Sequence, residues 1–319
     1  MRTDPVPNSG KRRWWLVLQI IGGLLAFAFL FWKLPLKESL QALREARPPP
    51  MFLAVLSLFL VHLWTWLSHI YLLQILRKPQ PTLSFLRAML LSQVLGMLAP
   101  GKLGDLSIAW FLRKRGVPYG EGLAIGMFYK MVALAVTFWL GLTGLAGWKS
   151  WTELLAFLLV LPIGLFAISH VATRWIIPSL PRLLMQPRLV EEMRAFNQAW
   201  KTMGAFKPML MSLLLALLKA LLMTIAPWLI LIAFGHPLSF STTLALSSVV
   251  RLASAIPLSP SGLGVRELSG TLVFSEWAGI PWAVAANMML ISTVFQYGVA
   301  AICYGVSFPA MSESKEKAG

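Results

Sequence analysis

Charged residues are scarce in this chain, and acidic residues are the scarcest of them. Of 319 residues, 12 are acidic and 28 are basic, so that charged residues make up 13%. A soluble domain carries about 25% charged residues, so the composition argues against a soluble globular protein. The hydrophobic share is 57% and the mean hydropathy is +0.71. Several apolar runs reach the roughly 20 residues that a spanning helix needs, which predicts an all-α, polytopic membrane protein.

Cysteine, aspartate and familiar catalytic motifs are also rare or missing in the sequence. Cys303 is the single cysteine, so an intrachain disulfide is excluded. The two aspartates, Asp4 and Asp105, cannot form a metal-binding Asp-x-Asp pair, which weakens a metal-dependent sugar-nucleotide transferase. The sequence has no Walker loop, HExxH or Gly-x-Ser-x-Gly. His62 and His69 share a helix face without a nearby acid or cysteine, so we expect neither a metal nor a cofactor.

The net charge of +16 has two interpretations. A basic chain can bind nucleic acid, but basic loops in a membrane protein more often follow the positive-inside bias and contact anionic lipid. We therefore expect anionic phospholipids at the cytoplasmic loops and no nucleic acid.

Apolar runs and their breaks predict six full spans and two broken, re-entrant hairpins. The spans fall at about 14–33, 51–75, 121–147, 153–173, 209–234 and 281–308, and the hairpins at roughly 83–115 and 240–279. A basic tail, 1–13, precedes a single membrane domain, 14–308, and a second tail, 309–319, follows it. Segments 37–47 and 188–204 have the pattern of interfacial amphipathic helices.

The distribution of lysine and arginine predicts the orientation of these spans. With the amino terminus in the cytoplasm, 18 basic residues fall on the inner side and five on the outer side. This asymmetry predicts that both termini are cytoplasmic. We expect the protein in the bacterial inner membrane.

The same topology gives the chain two halves of opposite orientation. Half one, about 51–147, and half two, about 209–308, each consist of a span, a broken hairpin and a span. The first hairpin opens inward and the second opens outward, so the halves form an inverted repeat, which lets one site be reached from either face. Two ordinary helical pairs in a static bundle are the alternative.

Related motifs interrupt the two hairpins. APGKLGD, residues 99–105, and IPLSPSGLGVRE, residues 256–267, both contain Pro-x-x-Leu-Gly. Breaks at corresponding places in two halves indicate a binding site near the membrane midplane. The helices that follow Gly104 and Gly264 would aim their amino-terminal dipoles at this site, and the glycines would permit close backbone approach.

Charged residues within apolar segments point to the same region. Each embedded charge costs roughly 2.5–3.5 kcal/mol, so it needs a partner or a wet cavity. Seven such residues are present, and their positive excess favours an anion such as a phosphate group. They are Lys102, Lys130, Lys219, Arg251 and Arg266, with Asp105 and Glu267.

Structural roles are open for several of these residues. Arg266 and Glu267 could form a purely structural ion pair, and Asp105 could cap the following half-helix. Lys102 could extend to the cytoplasmic surface. Lys219 has no evident partner. The predicted binding site comprises Arg266, Glu267, Arg251, Lys130, Asp105, Lys102, Gly104, Gly264, Ser259 and Ser261.

At these motifs the chain resembles the flippase-like membrane domain of the lysylphosphatidylglycerol synthases, over roughly residues 14–308. The most specific segments are PGKLGD at 100–105 and SPSGLGVRE at 259–267, where Ser261 replaces a family glycine. Two departures reduce the charge of the first half: Ile108 stands where the family has arginine, and Tyr129-Lys130 stands where it has Glu-Arg. No aminoacyl-transferase domain accompanies the resemblance, so lipid lysylation is not implied.

The resemblance implies a translocator of a lipid or polyprenyl-linked lipid with an anionic headgroup. We expect the headgroup between the hairpins, held by Arg266, Arg251 and Lys130, with Glu267 and Asp105 orienting these cations. Some relatives are described as transferases acting on polyprenyl-linked sugars, so an integral-membrane glycosyltransferase is one alternative. A non-catalytic membrane scaffold is the other.

Overall fold

The computed structural model describes residues 9–98, 107–146, 187–256 and 262–307, together with Ser259 and four isolated positions between 164 and 174. All regular secondary structure in the four described ranges is helical. The helices, numbered in chain order, are α1 Ser9–Lys33, α2 Leu36–Glu45, α3 Pro48–Ile75, α4 Thr82–Leu98, α5 Ser107–Arg113, α6 Tyr119–Ala146, α7 Pro187–Met203, α8 Phe206–Ala233, α9 Phe240–Ala253, α10 Val265–Ala278 and α11 Trp282–Ser307.

Four of these helices, α3, α6, α8 and α11, are long and apolar enough to cross a membrane. A helix of 28 residues, such as α3 or α8, is about 42 Å long, which exceeds the hydrocarbon thickness of roughly 30 Å. α1 and α2 are bent by 84° at a short break and together form a candidate fifth span. The predicted span at 153–173 lies outside the described ranges.

The ends of α3 and α8 share one backbone motif. Arg77 and Gly235 have φ of 55° and 75°, and each follows the helix cap. The next amide in each case, from Lys78 or His236, donates to the carbonyl of Leu73 or Leu231, at 2.9 and 3.0 Å. These are Schellman caps, which satisfy carbonyls that the helix end leaves open.

Both predicted amphipathic segments are helical, and both contact the bundle. In α2 the buried Ser39 donates to the Asn287 side chain of α11 at 2.6 Å. α7 packs against the start of α6, where the Gly120 amide donates to Glu192 at 2.6 Å. Trp200 and Met203 of α7 are buried in the core beside Phe128. The apolar face of α7 therefore covers protein, where the sequence pattern indicated the membrane surface.

The short helices of each hairpin pack on the long helices of the other half. α9 lies against α6, and α4 lies against α11, while α3 and α8 form the central pair. α5 and α10 also contact α6 and α11, which follow them in the chain. Two cores result, one around α6 and α7 and one around α9 to α11, and both extend onto α8.

Gly264, which precedes α10, lies against α1. Its φ is +80°, and a Cβ atom there would overlap the carbonyl oxygen of Gly23. The sequence predicted that this glycine permits close backbone approach near the site. The segment that approaches it in the structure is α1, so Gly264 permits α10 to begin beside α1.

We predict that Gly264→Ala destabilises the protein more than Gly279→Ala does. Gly279 also has a positive φ, +66°, but no atom lies within 4 Å of the position that a Cβ would occupy there. The control should cost about 1–2 kcal/mol from backbone strain alone, whereas Gly264→Ala adds a backbone clash with α1. Thermal unfolding in detergent, followed by tryptophan fluorescence, checks this. Equal losses for the two variants would contradict it.

Candidate functional site

A cavity of about 330 Å³ lies inside the bundle. Seven helices line it: α3, α4, α6, α8, α9, α10 and α11. The lining positions fall near the middle of the long helices, such as His62 in α3, Lys219 in α8 and Gln296 in α11. Its volume is at the lower end of the roughly 300–1,000 Å³ of small-molecule sites. The cavity can therefore hold a headgroup or other small polar group at mid-helix depth.

Three cationic side chains line this cavity: Lys219, Arg251 and Arg266. Among the described residues that line it, none is acidic. The sequence analysis assigned Arg251 and Arg266 to one site, and the structure brings them together. Lys219, which had no evident partner in the sequence, joins them. Cations enclosed by apolar helices interact strongly with an anion because the surroundings have a low dielectric constant.

A buried network holds Arg266 in place. Its Nε and Nη2 donate to Glu267 Oε1 at 3.0 and 2.9 Å, and its Nη1 donates to Gln296 Oε1. Thr293 Oγ1 accepts from Nη2 at 2.5 Å. The Glu267 side chain is fully buried, whereas Arg266 is 21% exposed. The ion pair thus fixes a guanidinium that still reaches the cavity.

Glu267 also caps α10. Its Oε2 accepts from the Gly264 amide at 2.7 Å, as the glutamate of a capping box does. A carboxylate at this position compensates the amino-terminal dipole of the helix. Glu267 therefore already satisfies the Gly264 amide at the α10 amino terminus, where the sequence predicted a ligand.

Arg251 is less fully satisfied than Arg266. Its Nη2 donates to Ser248 Oγ at 2.8 Å, but its Nε has no hydrogen-bond partner in the described part of the chain. The same holds for Oγ of the buried Ser247, which lines the cavity one turn away. Most buried polar groups in proteins have a partner, so these atoms indicate that a polar ligand or water belongs here.

The cavity lining also carries a second polar cluster, formed by His62, His69, Gln93, Tyr129 and Lys219. Lys219 Nζ donates to Tyr129 Oη at 2.6 Å, and the ring centroids of Tyr129 and His69 are 4.3 Å apart. His62 Nδ1 and Gln93 Oε1 are 2.6 Å apart. These partners are neutral, so none of them offsets the charge of Lys219.

The remaining predicted site residues divide into three groups. Lys130 does not line the cavity, and its place is taken by Tyr129. Neighbouring residues of a helix point about 100° apart, and of this pair it is Tyr129 that faces the cavity. Ser259 is buried, and its Oγ has no hydrogen-bond partner in the described ranges. Lys102, Gly104, Asp105 and Ser261 lie outside the described residues.

The sequence analysis did not assign Gln93, Tyr129, Ser247, Gln296 or Lys219 to the site. One signal could have identified Gln93: it lies 158 residues before Arg251, the same separation as between Thr82 and Phe240, where α4 and α9 begin. The serines gave no signal, because a hydroxyl can bond within its own helix, as Ser248 Oγ does with the carbonyl of Leu244 at 2.7 Å.

The four long apolar helices indicate an integral membrane protein. Residues 14–303 match the family described as the lysylphosphatidylglycerol synthase TM region, and the chain belongs to that family. The match covers nearly the whole chain and confirms the resemblance found at the two motifs. No curated protein and no solved structure matches the chain.

We predict that Glu267→Gln lowers the free energy of unfolding by about 3 kcal/mol, because it leaves Arg266 without its buried counter-charge. Glu276→Gln is the matched control, since Glu276 is an exposed residue of the same helix. The control should change stability by less than about 0.5 kcal/mol. Chemical unfolding in detergent measures both. A Glu267→Gln protein as stable as the control would rule out a structural role for the pair.

Proposed function

We propose that the protein translocates a lipid or polyprenyl-linked lipid with an anionic headgroup across the bacterial inner membrane. Family membership supports a lipid-related membrane protein in general. The observation that supports an anionic headgroup is the composition of the cavity lining. Three cations, Lys219, Arg251 and Arg266, line the cavity, and none of its described lining residues is acidic. A phosphate-bearing headgroup supplies the missing negative charge.

The two arginines suit the phosphate. A guanidinium presents its donors in a fixed plane and can match two phosphate oxygens at once. Arg266 is held by Glu267, Thr293 and Gln296, so its orientation is set before the ligand arrives and one Nη1 N–H is left to donate. Arg251 makes one described side-chain bond, its buried Nε has no described partner, and Ser247 offers a hydroxyl nearby. The acyl or polyprenyl chains would remain among the apolar helices and the surrounding lipid.

The packing of the two halves supports access from both faces. Exchanging α3 with α8, α4 with α9, α5 with α10 and α6 with α11 maps the packing pairs among these eight helices onto one another. The shared cap of α3 and α8 supports the same correspondence. In the proposed inverted repeat, each half can adopt the conformation of the other. Exchanging the two conformations closes the cavity to one membrane face and opens it to the opposite face, so the cavity is reached from the two faces in turn.

The proposed topology predicts a labelling pattern. Cys303 is the single cysteine, so Cys303→Ser leaves a background without thiols. Added to that background, Lys37→Cys in α2 should react with a membrane-impermeant maleimide applied to intact cells. Lys201→Cys in α7 should react only after the cells are opened. Both positions are exposed. Labelling of both cysteines in intact cells, or of neither, would contradict opposite sides for α2 and α7.

Translocation itself is tested with purified protein in liposomes that contain labelled phospholipids and polyprenyl phosphates. Wild-type protein should accelerate movement of a phosphate-bearing lipid between leaflets. Arg251→Gln should slow it by roughly 10-fold or more, because a hydrogen bond to a charged group contributes about 1.5–3 kcal/mol. Arg194→Gln, which changes an exposed arginine of α7, is the matched control.

Two results would defeat the proposal. The first is wild-type protein that is folded yet moves none of the tested lipids faster than empty liposomes do. The second is an Arg251→Gln rate equal to the rate of the Arg194→Gln control.

A further inference from the structure

We propose that the second polar cluster makes the cavity selective for a doubly charged phosphate, such as a lipid phosphate monoester, and that the cavity rejects headgroups bearing an ammonium group. This inference rests on the proposed headgroup site, but it does not require translocation. The residue that carries it is Lys219, which lines the same cavity as Arg266 and bonds to Tyr129.

The charges of the described lining residues do not cancel. Three lining cations are present, and Glu267 offsets one of them through Arg266. Lys219 donates to the phenol of Tyr129, which is neutral, and Arg251 donates to the hydroxyl of Ser248. Two positive charges therefore remain for a ligand to neutralise. A phosphate diester carries one negative charge, whereas an ionised monoester carries two.

Among the hydrogen-bonding atoms in the cavity, donors without a described partner also favour an anionic ligand. Gln93 Nε2 and Arg251 Nε have no hydrogen-bond partner among the described residues, and both are donors only. The ammonium group of Lys219 has three N–H groups, and the one described bond that it makes is to Tyr129. These donors belong to four different helices when Arg266 is included: α4, α8, α9 and α10. A terminal phosphate has three free oxygens to accept from several sides, whereas a diester has two.

An ammonium-bearing headgroup has no anionic partner among the described lining residues. The Glu267 carboxylate is fully buried and accepts from Arg266, Thr293 and the Gly264 amide. Pro227 within α8 has no N–H, which leaves the carbonyl of Met223 open beside the cavity. This carbonyl and the lining hydroxyls, such as that of Tyr297, are neutral acceptors. They cannot offset an added positive charge next to two uncompensated cations, so such a headgroup is disfavoured.

The test is a binding competition with purified full-length protein in detergent, read by native mass spectrometry. The probes are phosphatidic acid, phosphatidylglycerol, phosphatidylethanolamine and lysyl-phosphatidylglycerol, all with the same acyl chains, with inorganic phosphate as a separate competitor. At pH 8 phosphatidic acid should bind about 10-fold or more tightly than phosphatidylglycerol. The two amine-bearing lipids should bind more weakly than phosphatidylglycerol.

The second part of the experiment changes the charge of the protein, at Lys219, or the charge of the lipid phosphate. Lys219→Met should reduce phosphatidic acid binding to near the phosphatidylglycerol level, whereas Lys219→Arg should retain most of the preference. Lys201→Met, at an exposed position of α7, is the control and should bind like wild type. Because the second ionisation of a phosphate monoester has a pKa of about 6, lowering the pH from 8 to 5 should also remove most of the preference. Thermal unfolding of each variant verifies that it is folded.

Several outcomes would overturn the inference. The first is equal binding of phosphatidic acid and phosphatidylglycerol by the wild-type protein. The second is tighter binding of either amine-bearing lipid than of phosphatidylglycerol. The third is a folded Lys219→Met protein that keeps the preference for phosphatidic acid, or a folded Lys219→Arg protein that loses it. Displacement of phosphatidic acid by an equal concentration of inorganic phosphate would overturn the assignment to a lipid headgroup. Selective binding without measurable translocation would support this inference and count against the proposed function alone.

Discussion

Uncompensated positive charge inside an apolar helix bundle is the constraint on which this structure depends. Each cation costs free energy there unless it has a partner, and Lys219 and Arg251 have neutral described partners. Arg266 is different, because Glu267 holds it and at the same time caps α10. Among the described residues, the buried Arg266–Glu267 ion pair thus positions one guanidinium. The other two cations, Lys219 and Arg251, line the same cavity without a described counter-charge.

The cavity exists because helices of both halves surround it. α3 and α8 pack centrally, while α4 and α9 each cross to the opposite half. Both halves therefore supply helices to the cavity lining. The proposed translocation requires that this one polar site be reached from two membrane faces in turn.

Sequence reasoning locates the described long helices, the break between α9 and α10 and two of the cations that line the cavity, because polar groups in apolar segments are costly and therefore informative. It fails where two neighbouring positions differ only in direction. In an apolar helix without a polar stripe, nothing in the sequence decides whether Tyr129 or Lys130 faces inward. It also cannot show which surface an amphipathic helix covers, so α7 was assigned to the membrane interface. The contact between Gly264 and α1 joins segments about 240 residues apart and leaves no local pattern.

In the proposed site, a bound phosphate balances the charge of the cavity. A structure of the protein determined in lipid nanodiscs that contain phosphatidic acid tests this charge balance. We expect phosphate density within hydrogen-bond distance of Arg251 and Lys219, with the acyl chains leaving between the helices. A carboxylate such as Asp105 paired with these two cations, and no lipid phosphate in the cavity, would contradict it.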